Sequence, residues 1–171
     1  MNLEAHIREV PDFPKKGIRF KDITPLLQNP EAFTYCIQSM AAQWKPAEVD
    51  VIAGFDARGF IFGAPLAYEL GKPFVPLRKA GKLPYTTVTQ SYGLEYGKDT
   101  LAMHTDAVKP GQRVLLVDDL LATGGTAKAG CQLIEKQGAI VAGLQFVIEL
   151  AALNGRAKIA GNETHSLLVY Q

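Results

Sequence analysis

The chain has 171 residues, 47% of them hydrophobic and 20% charged, with a formal net charge of +1. That length suits one domain with a real core, and the near-neutral balance argues against bulk nucleic-acid binding, which needs a basic excess. Residues 1 to 9 are too polar for a signal sequence, no apolar run approaches the roughly 20 residues of a membrane span, and Cys36 and Cys131 read as reduced core thiols, so a single-domain cytoplasmic protein is expected.

In chain order, Asn2 can cap a short helix with Leu3, His6, Ile7 and Val10 on one face, stopped by Pro11. Residues 13 to 29 carry several prolines and glycines and read as irregular. Pro30 and Glu31 open a helix to about Trp44, ended by Pro46. A strand over residues 49 to 55 precedes a helix over residues 58 to 70, closed by Gly71 and Pro73. Residues 74 to 77 read as a strand and 79 to 90 as a loop. Residues 91 to 95 and 100 to 104 alternate as two strands joined by 96 to 99. A buried strand over 114 to 117, a turn, and a helix stopped by Gly138 follow, with Leu133 and Ile134 on its apolar face. Strands over 140 to 150 and 166 to 170 complete the chain. Alternating strands and helices predict an α/β fold with a mostly parallel sheet flanked by helices. Ligands in such sheets sit beyond the carboxyl ends of the strands, where Asp56 and Asp118 would fall together.

The segment Val114-Leu115-Leu116-Val117-Asp118-Asp119-Leu120-Leu121-Ala122-Thr123-Gly124-Gly125-Thr126 carries the chemistry. Its small-residue turn, ending at a helix N-terminus, offers backbone N–H groups and a positive dipole end to an anion. Asp118 and Asp119 would repel a phosphate placed on them, and ionised carboxylates only accept hydrogen bonds. A ribose 5-phosphate satisfies both halves, with hydroxyls on the acids and phosphate on Ala122, Thr123, Gly124, Gly125 and Thr126. The plainer alternative is an acidic strand end that caps a helix. Neither Gly-x-x-x-x-Gly-Lys-Ser/Thr nor Gly-x-Gly-x-x-Gly after a strand is present. In the second strand-to-helix turn, Asp56-Ala57-Arg58-Gly59, Arg58 offers a planar fork suited to phosphate oxygens, or is a surface arginine. Arg78, Lys79 and Lys82 form a cationic run that by itself reads as a solvated loop. His6, His104 and His165 lack metal-ligand spacing.

The acidic strand-and-turn segment resembles the phosphoribosyl-diphosphate (PRPP) motif of the type I phosphoribosyltransferases. Further blocks are similar, in the same order, to the adenine phosphoribosyltransferase family: residues 13 to 27 (Phe13-Pro14-Lys15-Lys16-Gly17 onward), 52 to 60, 78 to 84, Ser91-Tyr92-Gly93-Leu94-Glu95-Tyr96-Gly97-Lys98, and Glu149-Leu150-Ala151-Ala152-Leu153-Asn154-Gly155-Arg156. The resemblance implies the type I phosphoribosyltransferase fold, with a base-binding hood over residues 1 to 30 and a flexible catalytic loop and hairpin over 79 to 99. It implies that adenine and PRPP give AMP and pyrophosphate in purine salvage, with inversion at ribose C1. Mg²⁺ is implied as cofactor, held mainly by PRPP and water rather than by protein ligands. The implied roles are Asp118 and Asp119 on the ribose, Asp56, Ala57, Arg58, Arg78, Lys79 and Lys82 on pyrophosphate, and Glu95 near N7 of the purine beside Tyr96. Phe20 would stack on the base between the backbones of Arg19 and Lys21. A cis peptide at Asp56–Ala57 and a homodimer, with an arginine reaching the neighbouring subunit's site, are implied as well. Tyr85 departs from the small residue the resemblance leads one to expect there. A transferase for another base, or a ligand-sensing regulator on the same fold, are the remaining alternatives; the regulator would need an added DNA-binding unit or a basic face.

Overall fold

In the computed structural model, which describes residues 1–94 and 97–171, nine strands and four α-helices alternate. The strands are β1 (Arg8–Pro11), β2 (Arg19–Asp22), β3 (Val51–Phe55), β4 (Phe74–Lys79), β5 (Thr87–Leu94), β6 (Gly97–His104), β7 (Arg113–Leu121), β8 (Ile140–Leu150) and β9 (Thr164–Tyr170). The helices are α1 (Thr24–Gln28), α2 (Pro30–Ala41), α3 (Arg58–Leu70) and α4 (Gly125–Lys136). The main sheet has seven strands in the order β5-β6-β4-β3-β7-β8-β9. β4, β3, β7, β8 and β9 run parallel, and β6 lies antiparallel to both β4 and β5.

Two apolar layers sandwich the sheet. Ile52, Leu115 and Val117 pack toward α2 and α3 with Phe62, Leu66 and Met40. Val51, Ala53, Leu116 and Phe146 pack toward α4 with Cys131, Leu133 and Ile134. The chain leaves β3 through α3 toward β4 on one side, and leaves β7 through α4 toward β8 on the other. β3 and β7 are neighbours, so the connections diverge between them. Such a switch point opens a crevice beyond the carboxyl ends of the strands. The turns at Asp56–Arg58 and at residues 122 to 124 flank it.

α2 starts and α3 stops where the sequence predicts. Asn29 caps α2 by accepting from the Ala32 N–H at 2.9 Å. Gly71 ends α3 in the left-handed conformation at φ 64°. Five expectations fail. Residues 3 to 10 form no helix, since a single 3-10 turn at Glu4–His6 gives way to β1, which pairs antiparallel with β2. Cross-strand ion pairs, Arg8 with Asp22 at 2.8 Å and Glu9 with both Arg19 and Lys21 at 2.5 Å, favour that hairpin over the local helical pattern. Residues 13 to 29 are likewise more regular than expected, holding β2 and α1. Residues 87 to 90 belong to β5, since Thr87-Val88-Thr89 is a β-branched run; the glycine and proline that suggested a loop lie in residues 80 to 86. Residues 97 to 99, expected to join the hairpin strands, lie in β6, and α2 ends at Ala41 rather than near Trp44.

Candidate active site

β7 runs on through both aspartates to Leu121 instead of ending at them. A strand with strict alternation would send Asp118 and Asp119 to opposite faces of the sheet. The alternation breaks there: Leu116 packs toward α4 and Val117 toward α3, yet Leu120 packs toward α3 and Leu121 toward α4. Both carboxylates consequently line one cavity of about 350 Å³ at the switch point. Beyond them Ala122, Thr123, Gly124, Gly125 and Thr126 wrap a second cavity of about 80 Å³. Gly124 takes φ 77° to turn the chain into α4, and no side chain caps that helix. The N–H groups of the first turn are thereby left without intrahelical or side-chain partners. A cavity walled by such groups suits an anion.

On the other side of the crevice, Asp56–Ala57 is a cis peptide bond, as the resemblance implied, and Arg58 begins α3. Gly59 makes the approach of α3 to β7 possible. A Cβ there would lie 2.7 Å from the Val117 carbonyl and 3.0 Å from Asp118 Oδ1. Arg58 Nε reaches Asp119 Oδ2 at 2.6 Å, bridging the two turns. Arg78 Nε donates to Asp56 Oδ2 at 2.7 Å, and Lys79 Nζ lies 3.0 Å from Asp99 Oδ2. The cations and acids of the crevice are thus interleaved.

Charge is least balanced at the acidic pair. Burial raises the Asp118 carboxyl well above the usual carboxylate range, and the neighbouring Asp119 charge pushes it further the same way. Lys79 is raised by its bond to Asp99, and Asp99 is lowered by the same bond. Beside the small cavity, the half-exposed Arg156 grips buried Glu149 through two bonds of 2.7 and 2.8 Å, which hold that carboxyl below its ordinary value. The crevice can therefore hold an anion on N–H groups, cations against a second anion, and hydroxyl donors between them.

Residues 24–164 match the family model described as phosphoribosyl transferase domain. The adenine phosphoribosyltransferase of Acetivibrio thermocellus is 56% identical, with 99% of this chain and 100% of that protein covered. The chain belongs to the adenine phosphoribosyltransferase family. A crystal structure of the family member from Thermoanaerobacter pseudethanolicus shares 54% identity with a TM-score of 0.95, covering 98% of each chain. That from Saccharomyces cerevisiae, complexed with adenine and D-2,5-dideoxy-2,5-imino-altritol 1,6-bisphosphate, shares 39% identity with a TM-score of 0.93, covering 97% of this chain and 96% of that one. As in the rest of the adenine phosphoribosyltransferase family, the chain has the type I phosphoribosyltransferase fold and is an enzyme of the pentosyltransferase class.

Of the residues that the family resemblance singles out, Asp56, Ala57, Arg58, Lys79, Asp118, Asp119 and Thr126 share the larger cavity. Residues 122 to 126 and Asp118 share the smaller one. Arg78 stands behind the first group, on Asp56 of its own chain and on the Lys82 carbonyl at 3.3 Å, while Lys82 itself is exposed. Phe20 lies outside both cavities but adjoins the crevice, with the Arg58 guanidinium 5.8 Å from its ring centre and Phe13 edge-on at 5.2 Å. The Arg19 and Lys21 side chains turn to Glu9 across the β1–β2 pair. Glu95 and Tyr96 lie outside the described residues. Tyr85 packs edge-on against His104 at 5.8 Å. Sequence reasoning gave no role to Tyr92 and Leu101, which line the larger cavity, or to Asp99, which holds Lys79. The β5–β6 register that sets Asp99 opposite Tyr92 was hidden because the sequence reading put residue 99 in the connector between the strands.

Proposed function

We propose that the chain transfers the ribose 5-phosphate group of PRPP to N9 of adenine, giving AMP and pyrophosphate in purine salvage. The observation that carries this reading is the junction of two unlike sites at one switch point. An N–H-walled cavity at residues 122 to 126 opens beside paired carboxylates, with Arg58 and Lys79 across the crevice. PRPP has a phosphate, two hydroxyls and a pyrophosphate in that order along the molecule. Its 5-phosphate would sit on the α4 N-terminus, its hydroxyls on Asp118 and Asp119, and its pyrophosphate near Ala57, Arg58 and Lys79, with Arg78 and Lys82 reached when residues 80 to 86 move.

In the reaction the C1–O bond to pyrophosphate breaks and the N9–C1 bond forms on the opposite face, with inversion. Adenine gives up its N9 proton, which the departing pyrophosphate can accept. Positive charge develops on the ribose ring, and the negative field of Asp118 and Asp119 favours it. Arg58, released from Asp119, can take up charge on the leaving pyrophosphate. The donors in the crevice fit Mg²⁺, since carboxylates and substrate oxygens are the hard ligands that ion takes together with several waters. When bound, the ion would neutralise the leaving group. The base would lie on Phe20, read by the Arg19 and Lys21 backbones, with Glu95 near N7 and Tyr96 beside it. Closure of the segment over residues 79 to 90 would keep water from PRPP. The same reading includes a homodimer and a cytoplasmic location, for which light scattering and cell fractionation are the checks.

The experiment is AMP formation from the purified chain with PRPP, Mg²⁺ and each of adenine, hypoxanthine, guanine and xanthine. Turnover of adenine alone is expected. Turnover of a 6-oxopurine would keep the PRPP assignment and overturn that of Phe20, and PRPP binding without turnover would favour a sensor.

A further inference from the structure

The described residues contain one buried acid at the sheet's carboxyl edge that the proposed reaction does not use. Glu149 sits in β8 opposite Leu121, the last residue of β7 before the phosphate loop. Its side chain is 7% exposed, and both its oxygens are engaged. Arg156 Nε donates to Oε1 at 2.7 Å, Arg156 Nη2 to Oε2 at 2.8 Å, and Ser166 Oγ to Oε2 at 2.8 Å. The pair closes residues 149 to 156 into a tight return, through a 3-10 turn at Ala151–Leu153 and a left-handed Asn154 at φ 51°.

Gly155, the next residue, is where this return meets the phosphate loop. A Cβ on Gly155 would lie 2.3 Å from the Ala122 carbonyl oxygen and 3.1 Å from the Gly124 nitrogen. Reciprocally, a Cβ on Gly124 would lie 2.4 Å from the Gly155 carbonyl oxygen. The two backbones touch directly, and the Leu121 side chain closes the same spot, with its Cδ1 3.0 Å from the Gly155 Cβ position. A shift of the return by a few tenths of an ångström therefore moves the N–H groups that wall the small cavity, because close-packed backbone has no slack to absorb it.

We infer that the Glu149–Arg156 pair is a positioning element for the phosphate loop: it fixes the Gly155 turn as the template against which residues 122 to 124 take their shape. Arg156 lines neither cavity of the crevice. It acts through Gly155, and its planar fork is what a carboxylate bound on both oxygens requires. The inference rests on the proposed reading of residues 122 to 126 as the seat of the 5-phosphate.

The test is calorimetric binding of ribose 5-phosphate, with KM for PRPP and for adenine, on the full chain and on Arg156→Lys and Gly155→Ala. Arg156→Lys keeps the charge but loses the two-point grip. It is expected to raise Kd for ribose 5-phosphate and KM for PRPP by about tenfold while KM for adenine and kcat stay within about twofold. Gly155→Ala should do the same more strongly. Unchanged ribose 5-phosphate binding in both variants, even with a lowered Tm, overturns the inference and leaves the pair a plain stabilising contact. Loss of both ligands by both variants overturns it too, since the return would then support the whole fold rather than the loop. If the unaltered chain does not bind ribose 5-phosphate, it is the reading of the phosphate loop that fails.

Discussion

The two ends of the central strands treat charge in opposite ways. At the amino end, Asp50 and Arg113 form a matched pair. The guanidinium donates to both carboxylate oxygens at 2.9 and 3.0 Å, and the Arg113 backbone N–H adds a third bond at 2.8 Å. These bonds lower the Asp50 carboxyl from 3.8 to about 2. At the carboxyl end, Asp118 and Asp119 lie side by side, with Arg58 bonded to Asp119 and with Asp118 raised by burial and by its neighbour. The amino end resolves its charges within the fold. The carboxyl end keeps a surplus of negative charge that a ligand with hydroxyl donors and a cation can resolve, which is what separates a site from a joint.

The sharpest way to break that contrast is Asp118→Asn. Burial and the neighbouring Asp119 charge raise the folded Asp118 carboxyl, so stability is lost as pH rises above the ordinary carboxylate range, and an amide, which carries no such cost, should increase Tm at neutral pH. The same change should lower kcat/KM for PRPP by about 10²-fold or more, because a group facing developing charge is removed. AMP formation and scanning calorimetry on one preparation read both, and a fall in Tm would show that the acidic pair stores no repulsion. Next in size is Gly124→Ala. The left-handed φ of 77° and the Gly155 carbonyl oxygen 2.4 Å from the new Cβ both oppose it. A loss of about 1–3 kcal/mol in urea unfolding and a raised KM for PRPP are expected, with KM for adenine little changed. Phe20→Ala should be milder and complementary. It removes an aromatic face worth about 0.5–1.5 kcal/mol, a rise of about two- to tenfold in KM for adenine with KM for PRPP unchanged.

Asp50→Asn should have the smallest effect and the cleanest control value. Activity should be unaltered, since the residue lies at the far end of the sheet. The folded pKa is depressed, so the stabilisation is present above about pH 4 and is lost as pH falls toward about 2. Acid unfolding followed by circular dichroism should show the unaltered chain losing this margin across that window, and the variant should lack that contribution to the pH dependence. A change in kcat would mean that the two ends of the sheet are coupled.

The carboxyl end was legible in the sequence because its signals are local. Adjacent acids after an aliphatic run, followed by Thr123-Gly124-Gly125-Thr126 and a helical pattern, specify strand, turn and helix within the 25 residues from Val114 to Gly138. The turn at Asp56–Arg58 was legible for the same reason. The β1–β2 pair was not, because β1 exists by virtue of its pairing with β2 and of ion pairs such as Arg8–Asp22, which no window on residues 3 to 10 contains. Thr87 to Gln90 were obscured by the glycine and proline just before them.

The sequence alone determined the alternation of strands and helices, the edge at which ligands gather, and the residue types that face them. Periodicity and turn chemistry are properties of neighbours along the chain. Only the tertiary structure decided that Asp118 and Asp119 share a cavity despite their adjacency in a strand, that Arg58 bridges the two turns, and that Gly155 packs against the backbone of residues 122 to 124 next to the Glu149–Arg156 pair. Those facts depend on close packing between segments far apart in sequence, and packing distances of a few tenths of an ångström are set by the whole fold at once.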